Sequence, residues 1–142
     1  MAQAIVTVTY DDVFSEQDSA QHSQWMYGTL TVSASPATYP TGGLSGLTSG
    51  GGIIWQIGDF PKVRVATPKD VYFYSAKLTG TTIGGYTYFW NQANNTFQIG
   101  AAVTVVSGTG ASQTELTNGT AIPANVSNDT IRFEARFLKA VA

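Results

Sequence analysis

Val6, Val8 and Tyr10 alternate with Thr7 and Thr9, a period of two that puts apolar groups on one face of a β-strand and hydroxyls on the other. The same device recurs over residues 29–34, with Leu30, Val32 and Ala34 expected inward. Residues 53–57, 62–66 and 71–75 are further β-prone runs, the second of them bounded by Pro61 and Pro68. Tyr86, Tyr88 and Trp90 share one face of the next run, and Phe97 and Ile99 of the run after it can pair across from them. Asparagine tolerates left-handed backbone, so Asn94-Asn95 between the two runs reads as a hairpin turn. Residues 101–106 make another strand. In the last strand, Ile131, Phe133, Ala135 and Phe137 alternate with Arg132, Glu134 and Arg136. A register slip of one residue there would drive two arginines and a glutamate into the core.

Helical patterning is confined to residues 15–26, where Glu16, Gln17, Ala20, Gln21 and Gln24 support one or two turns. Strand candidates otherwise recur about every ten residues with turn signals between them, the spacing of an all-β sandwich or barrel. The predicted architecture is a single β-sandwich or barrel-like domain over residues 1–142, with about eight short, mostly antiparallel strands. Residues 1–10 form a first strand or arm. Residues 35–52 are a Gly/Ser/Thr/Pro-rich connection too long for a hairpin loop, and such connections are usually functional or mobile. Residues 107–112 and 118–125 read as exposed loops.

Composition narrows the function mainly by exclusion. Seven basic against nine acidic residues leave a net charge of −2, which gives no long-range pull on nucleic acid or an anionic membrane. The absence of cysteine excludes disulfides, thiol catalysis and thiolate-bound metals. Only 11% of residues are charged while 43% are hydrophobic, a balance that argues against disorder. No run of about 18 apolar residues spans a bilayer, and residues 1–10 lack the basic and apolar regions of a secretory signal.

Candidate chemistry is sparse. His22 is the lone histidine and so the lone unperturbed base near neutral pH, but no nucleophile-elbow motif accompanies it. Glu16, Glu115 and Glu134 do not form a spaced carboxylate pair along the chain. Asp11, Asp12, Glu16 and Asp18 cluster, yet lack the alternating ligands and central glycine of a calcium loop. No catalytic residue, cofactor or metal site is therefore assigned. Asn94, Asn118, Asn125 and Asn128 begin Asn-x-Ser/Thr triplets, as expected by chance in an Asn- and Thr-rich chain. Tyr72, Tyr74, Tyr86, Tyr88 and Trp90 suit a stacking platform for sugars or bases, or a core or subunit interface, and seven scattered basic residues make no groove for nucleic acid.

Three segments carry a resemblance: Tyr27-Gly-Thr-Leu-Thr-Val-Ser33, Tyr39-Pro-Thr-Gly-Gly43 and Tyr86-Thr-Tyr-Phe-Trp-Asn-Gln-Ala-Asn-Asn95. Together with Glu115-Leu-Thr-Asn-Gly-Thr120 and Thr130-Ile-Arg-Phe-Glu-Ala-Arg-Phe137, they resemble small virion proteins of tailed bacteriophages, of the head decoration (capsid cement) type. The chain departs from members that carry an acidic residue where it has Asn91. The resemblance implies a non-enzymatic protein on the outer surface of the capsid, assembled in the host cytoplasm and bound to the major capsid protein. It also implies a homo-oligomer, with a trimer favoured, and no nucleic-acid or membrane partner. A tail, baseplate or fibre protein and a carbohydrate-binding β module are the competing assignments. An early strand can add to a neighbour's sheet edge. The expected capsid or subunit contacts are therefore Ile5, Val6, Val8 and Tyr10, with Tyr39, Pro40, Thr41, Gly42 and Gly43 in the loop beyond.

Overall fold

The computed structural model describes residues 3–11, 16–19, 23–34, 36–48, 50–55, 67–75, 86–103 and 112–138. These residues fold as two antiparallel sheets that do not close into a barrel. The larger sheet contains β1 (Val6–Tyr10), β2 (Glu16–Ser19), β3 (Ser23–Val32), β4 (Asp70–Ser75) and β8 (Ile131–Leu138). Its order is β1-β3-β8-β4, with β2 also paired to β3. The smaller sheet has the order β5-β6-β7, from β5 (Tyr86–Asn91), β6 (Thr96–Val103) and β7 (Ser112–Glu115). A single helical turn, α1 (Ala124–Ser127), precedes β8 and buries Val126.

The alternation of β8 is realised in full: Ile131, Phe133, Ala135 and Phe137 are buried, while Arg132, Glu134 and Arg136 face outward. Phe133 lies edge-on to Tyr10 and Trp55, with ring centroids 5.7 and 5.5 Å away. Phe97 joins the two sheets. Phe73 of β4 meets it edge-on at 4.9 Å, and Tyr88 of β5 stacks on it at 5.3 Å. The predicted hairpin is present, and Phe97 and Ile99 pair across from it as expected, opposite Trp90 and Tyr88. Asn95 takes the left-handed φ of +53° that its turn requires.

Residues 15–26 differ from expectation. The described part is extended, with Glu16 of β2 opposite Met26 of β3 and Ser19 opposite Ser23. Period-two alternation was masked there because Trp25 and Tyr27 lie on the outer face of β3 while Met26 is buried on the inner one. Apolar residues on both faces of a strand erase its sequence signature. At the other end of β3, Ala34 is exposed, because pairing stops at Val32. Residues 53–55 keep their alternation, with Ile53 and Trp55 buried and Ile54 exposed, but join no ladder. The predicted runs at 96–99 and 101–106 merge through Gly100 into β6, which runs to Val103. Ser112, expected at the end of a loop, instead opens β7, which no sequence run marked. The candidate strand at 62–66, the loop at 107–111 and His22 lie outside the described residues.

Gly28 marks a close backbone approach in the larger sheet. A Cβ there would stand 2.1 Å from the Thr9 carbonyl oxygen and 2.9 Å from the Tyr10 Cα, so only glycine lets β1 approach β3 this closely.

Candidate functional site

The long glycine-rich connection is held in place from both sheets. Val6 donates to the Ser45 carbonyl at 3.0 Å, and Leu44 exchanges two backbone hydrogen bonds with Phe97 at 2.8 and 2.9 Å. Leu44 and Ser45 therefore clamp the edge of β1 to β6. The Pro40–Gly43 turn is fixed by distant residues. Glu115 accepts hydrogen bonds through Oε1 from the Tyr39 hydroxyl (2.6 Å) and the Gly42 amide (2.9 Å). Thr96 Oγ1 donates to the Gly42 carbonyl at 2.6 Å, and Asn118 Oδ1 accepts from the Thr41 amide at 3.2 Å. Burial, reinforced by the Glu115 bond, pushes the Tyr39 hydroxyl pKa above its ordinary value, so it is a permanent donor at neutral pH.

A second anchor is Asn95. Its Oδ1 accepts both indole N–H groups, from Trp55 at 2.9 Å and Trp90 at 3.1 Å. Its Nδ2 donates to the Ile53 carbonyl at 3.1 Å, and its own carbonyl accepts from the Ile53 amide at 2.7 Å. One side chain in a hairpin turn thus ties the end of the glycine-rich connection to the smaller sheet.

Between these anchors lies a groove of about 370 Å³. Pro40, Thr41, Gly42 and Gly43 form one wall and Gly50–Gly52 another, with Gln3, Ser45, Asn94 and Thr96 completing it. No lining residue is charged. Gly42, Gly50 and Gly51 have open space where a side chain would stand, so the walls expose backbone. At Gly43 (φ +109°), a Cβ would come within 2.8 Å of the Phe97 carbonyl oxygen.

The predicted contact residues divide sharply. Val6, Val8 and Tyr39 are 3%, 2% and 0% exposed and belong to this chain's own core. Ile5 and Tyr10 are half-buried; the Tyr10 hydroxyl donates to the Trp55 carbonyl, and burial raises its pKa. Gly43 is buried behind the rim, while Pro40, Thr41 and Gly42 reach solvent. The structure therefore gathers the Pro40–Gly42 rim at a groove and commits β1 to a ladder with β3. Sequence spacing hid the other wall, because residues 50–52 carry no side-chain signal.

Asp11 and Glu115 have structural duties. Asp11 pairs with Arg132 at 2.5 Å, while Asp12 and the side chains of Glu16 and Asp18 lie outside the described residues. Glu115 anchors the rim, and Glu134 accepts a hydrogen bond from Tyr74. Among the described residues, no group of three His, Asp or Glu side chains is placed to hold a metal ion, and no helix is long and apolar enough to cross a membrane. Asn91 Oδ1 accepts from the Asn94 amide at 3.2 Å, a role a carboxylate fills equally well.

Of the candidate platform, Tyr86, Tyr88 and Trp90 pack against the core, whereas Tyr72 and Tyr74 are 50% and 47% exposed. No family model, curated protein or solved structure matches the chain.

Proposed function

We propose that the protein is a structural component of a tailed-phage virion, a decoration protein that docks on the assembled head and bridges neighbouring capsomers. The observation that carries this reading is the rim. Pro40, Thr41 and Gly42 belong to a segment that resembles the decoration proteins, and they form one wall of an uncharged groove. That wall is held by side chains more than 50 positions away in the chain. A surface set in advance loses little entropy on docking, and backbone-lined walls accept a protruding segment of a neighbour through main-chain hydrogen bonds. Many copies binding the closed lattice more tightly than its loose subunits would stabilise it by mass action. A three-fold homo-oligomer matches the local symmetry of an icosahedral shell.

Retention on undecorated heads after sedimentation tests the proposal. Wild-type protein should co-sediment, and Thr41→Arg, which puts a long cation on the rim, should not. Failure of the wild type to co-sediment, or equal retention of the variant, overturns the assignment of this rim. Signal from labelled protein at the tail in electron micrographs moves the protein to the tail or baseplate.

A further inference from the structure

The outer face of the larger sheet has a different chemistry. Cross-strand register aligns Tyr27 of β3, Glu134 of β8 and Tyr72 of β4 in one row. The row on one side holds Trp25, Arg136 and Asp70, and the row on the other holds Thr29, Arg132 and Tyr74. Residues directly opposite one another share a face, so these side chains form one flat surface.

Two of its three carboxylates are paired with guanidinium groups within the face. Arg136 contacts Asp70 at 2.7 Å, Arg132 contacts Asp11 at 2.5 Å, and Glu134 accepts from the Tyr74 hydroxyl. Three carboxylates against two guanidinium groups leave the face at about −1, which repels phosphate chains and offers no attraction to an acidic polymer. The half-exposed rings of Tyr72 and Tyr74 stand beside this closed polar network.

From these observations we infer that the face is a binding platform for a neutral, extended β-linked glycan. Aromatic faces carry negative charge density that attracts the C–H faces of pyranose rings, and phenol hydroxyls and paired charges supply donors and acceptors for sugar hydroxyls. The spacing suits a chain. Tyr27 and Tyr72 lie two strands apart, about 9.5 Å, close to the length of two sugar units in an extended β-linked polymer. Tyr72 and Tyr74 lie about 7 Å apart along β4 and place a further ring beside the same track.

Size separates this occupant from a second copy of the protein. Three aligned rows across three strands project roughly 300 Å² by strand geometry, below the ~800 Å² per partner of a stable protein interface. A short stretch of glycan needs no more. The inference goes beyond the docking function proposed above and uses a different surface, so either can fail alone.

Affinity electrophoresis of the full chain in native gels containing hydroxyethylcellulose, laminarin or polygalacturonate tests it. The wild type should be retarded by a neutral β-glucan and not by polygalacturonate. Tyr72→Ala/Tyr74→Ala should weaken that retardation about tenfold or more, while Tyr72→Phe/Tyr74→Phe, which keeps the ring faces, should retain most of it. Thr41→Arg should bind glycan like the wild type. Absence of retardation by both neutral glucans overturns the inference, as does retardation that the double alanine variant leaves unchanged. Sedimentation equilibrium supplies the remaining arm: a wild-type dimer that the double alanine variant splits would make the face an interface between copies and would also overturn it.

Discussion

The groove and the aromatic sheet face are built in opposite ways. The groove is made largely of backbone: its glycines contribute no side chains, and its shape depends on anchors outside it, chiefly Glu115, Asn118 and Asn95. The sheet face is made of side chains on regular ladders, and the backbone beneath is held by β3, β8 and β4 whatever those side chains are. A surface of the first kind is lost when a remote hydrogen bond is lost. One of the second kind can be stripped without cost to the fold. Substitutions should therefore separate the two surfaces by their effect on stability as well as on binding.

The largest effect is expected at Asn95. Replacing it with alanine leaves two indole N–H groups and the Ile53 carbonyl without their partner, at about 1–3 kcal/mol for each buried group left unsatisfied. A loss of roughly 3 kcal/mol or more should appear in denaturant unfolding. Asn95→Asp, which keeps the shared acceptor, should lose less. Equal losses would mean that the turn geometry matters and the indole bonds do not.

Gly28→Ala tests the sheet through its backbone. The added methyl meets the Thr9 carbonyl oxygen, and β1 must shift away from β3, at a cost of about 1–3 kcal/mol in unfolding free energy. A neutral result would show that the two strands part freely.

Tyr39→Phe removes the hydroxyl that Glu115 accepts and should cost about 1–2 kcal/mol at neutral pH. The pH dependence has a definite sign. Because the folded-state pKa of Tyr39 is raised, its contribution is fully present below the ordinary tyrosine value of about 10 and is lost as pH climbs through the shifted value. Tyr10 acts in the same direction. Urea midpoints should therefore fall above about pH 10, and less steeply for Tyr39→Phe than for the wild type. Parallel curves would show that Tyr39 ionises as freely in the fold as out of it.

The smallest effects belong to the sheet face. Arg136→Ala breaks a part-exposed ion pair, worth no more than about 0.5 kcal/mol after solvent screening. Tyr72→Ala should likewise change stability by less than about 0.5 kcal/mol. Thermal melts check both, and a large drop in either would make the face part of the load on the fold and weaken the contrast with the groove.

Much of this architecture was legible along the chain wherever one face of a strand is apolar and the other is not. β1 and β8 are such strands, and their alternation specified class and inward residues together. The strand at 23–28 was hidden for the opposite reason, since Trp25 and Tyr27 make the outer face of β3 as apolar as the inner one, while Glu16–Ser19 holds no apolar residue to alternate. The sequence also marked Pro40–Gly43 as a contact loop, but it could not show that Tyr39 turns inward to Glu115 while Thr41 turns out.

Local periodicity, turn chemistry and charge are written in neighbouring residues, and from them alone the chain's all-β class and its outward-facing charges on β8 are determined. Which surfaces exist was decided only by tertiary structure, because each depends on residues that meet across long stretches of chain. Gly42 and Glu115 are 73 positions apart, and Ile53 and Asn95 are 42. Tyr27 and Tyr72 come into one row solely because β8, the last strand, inserts between β3 and β4. Side-chain alternation is a property of the local backbone, whereas a groove or a platform is a property of how the chain closes on itself.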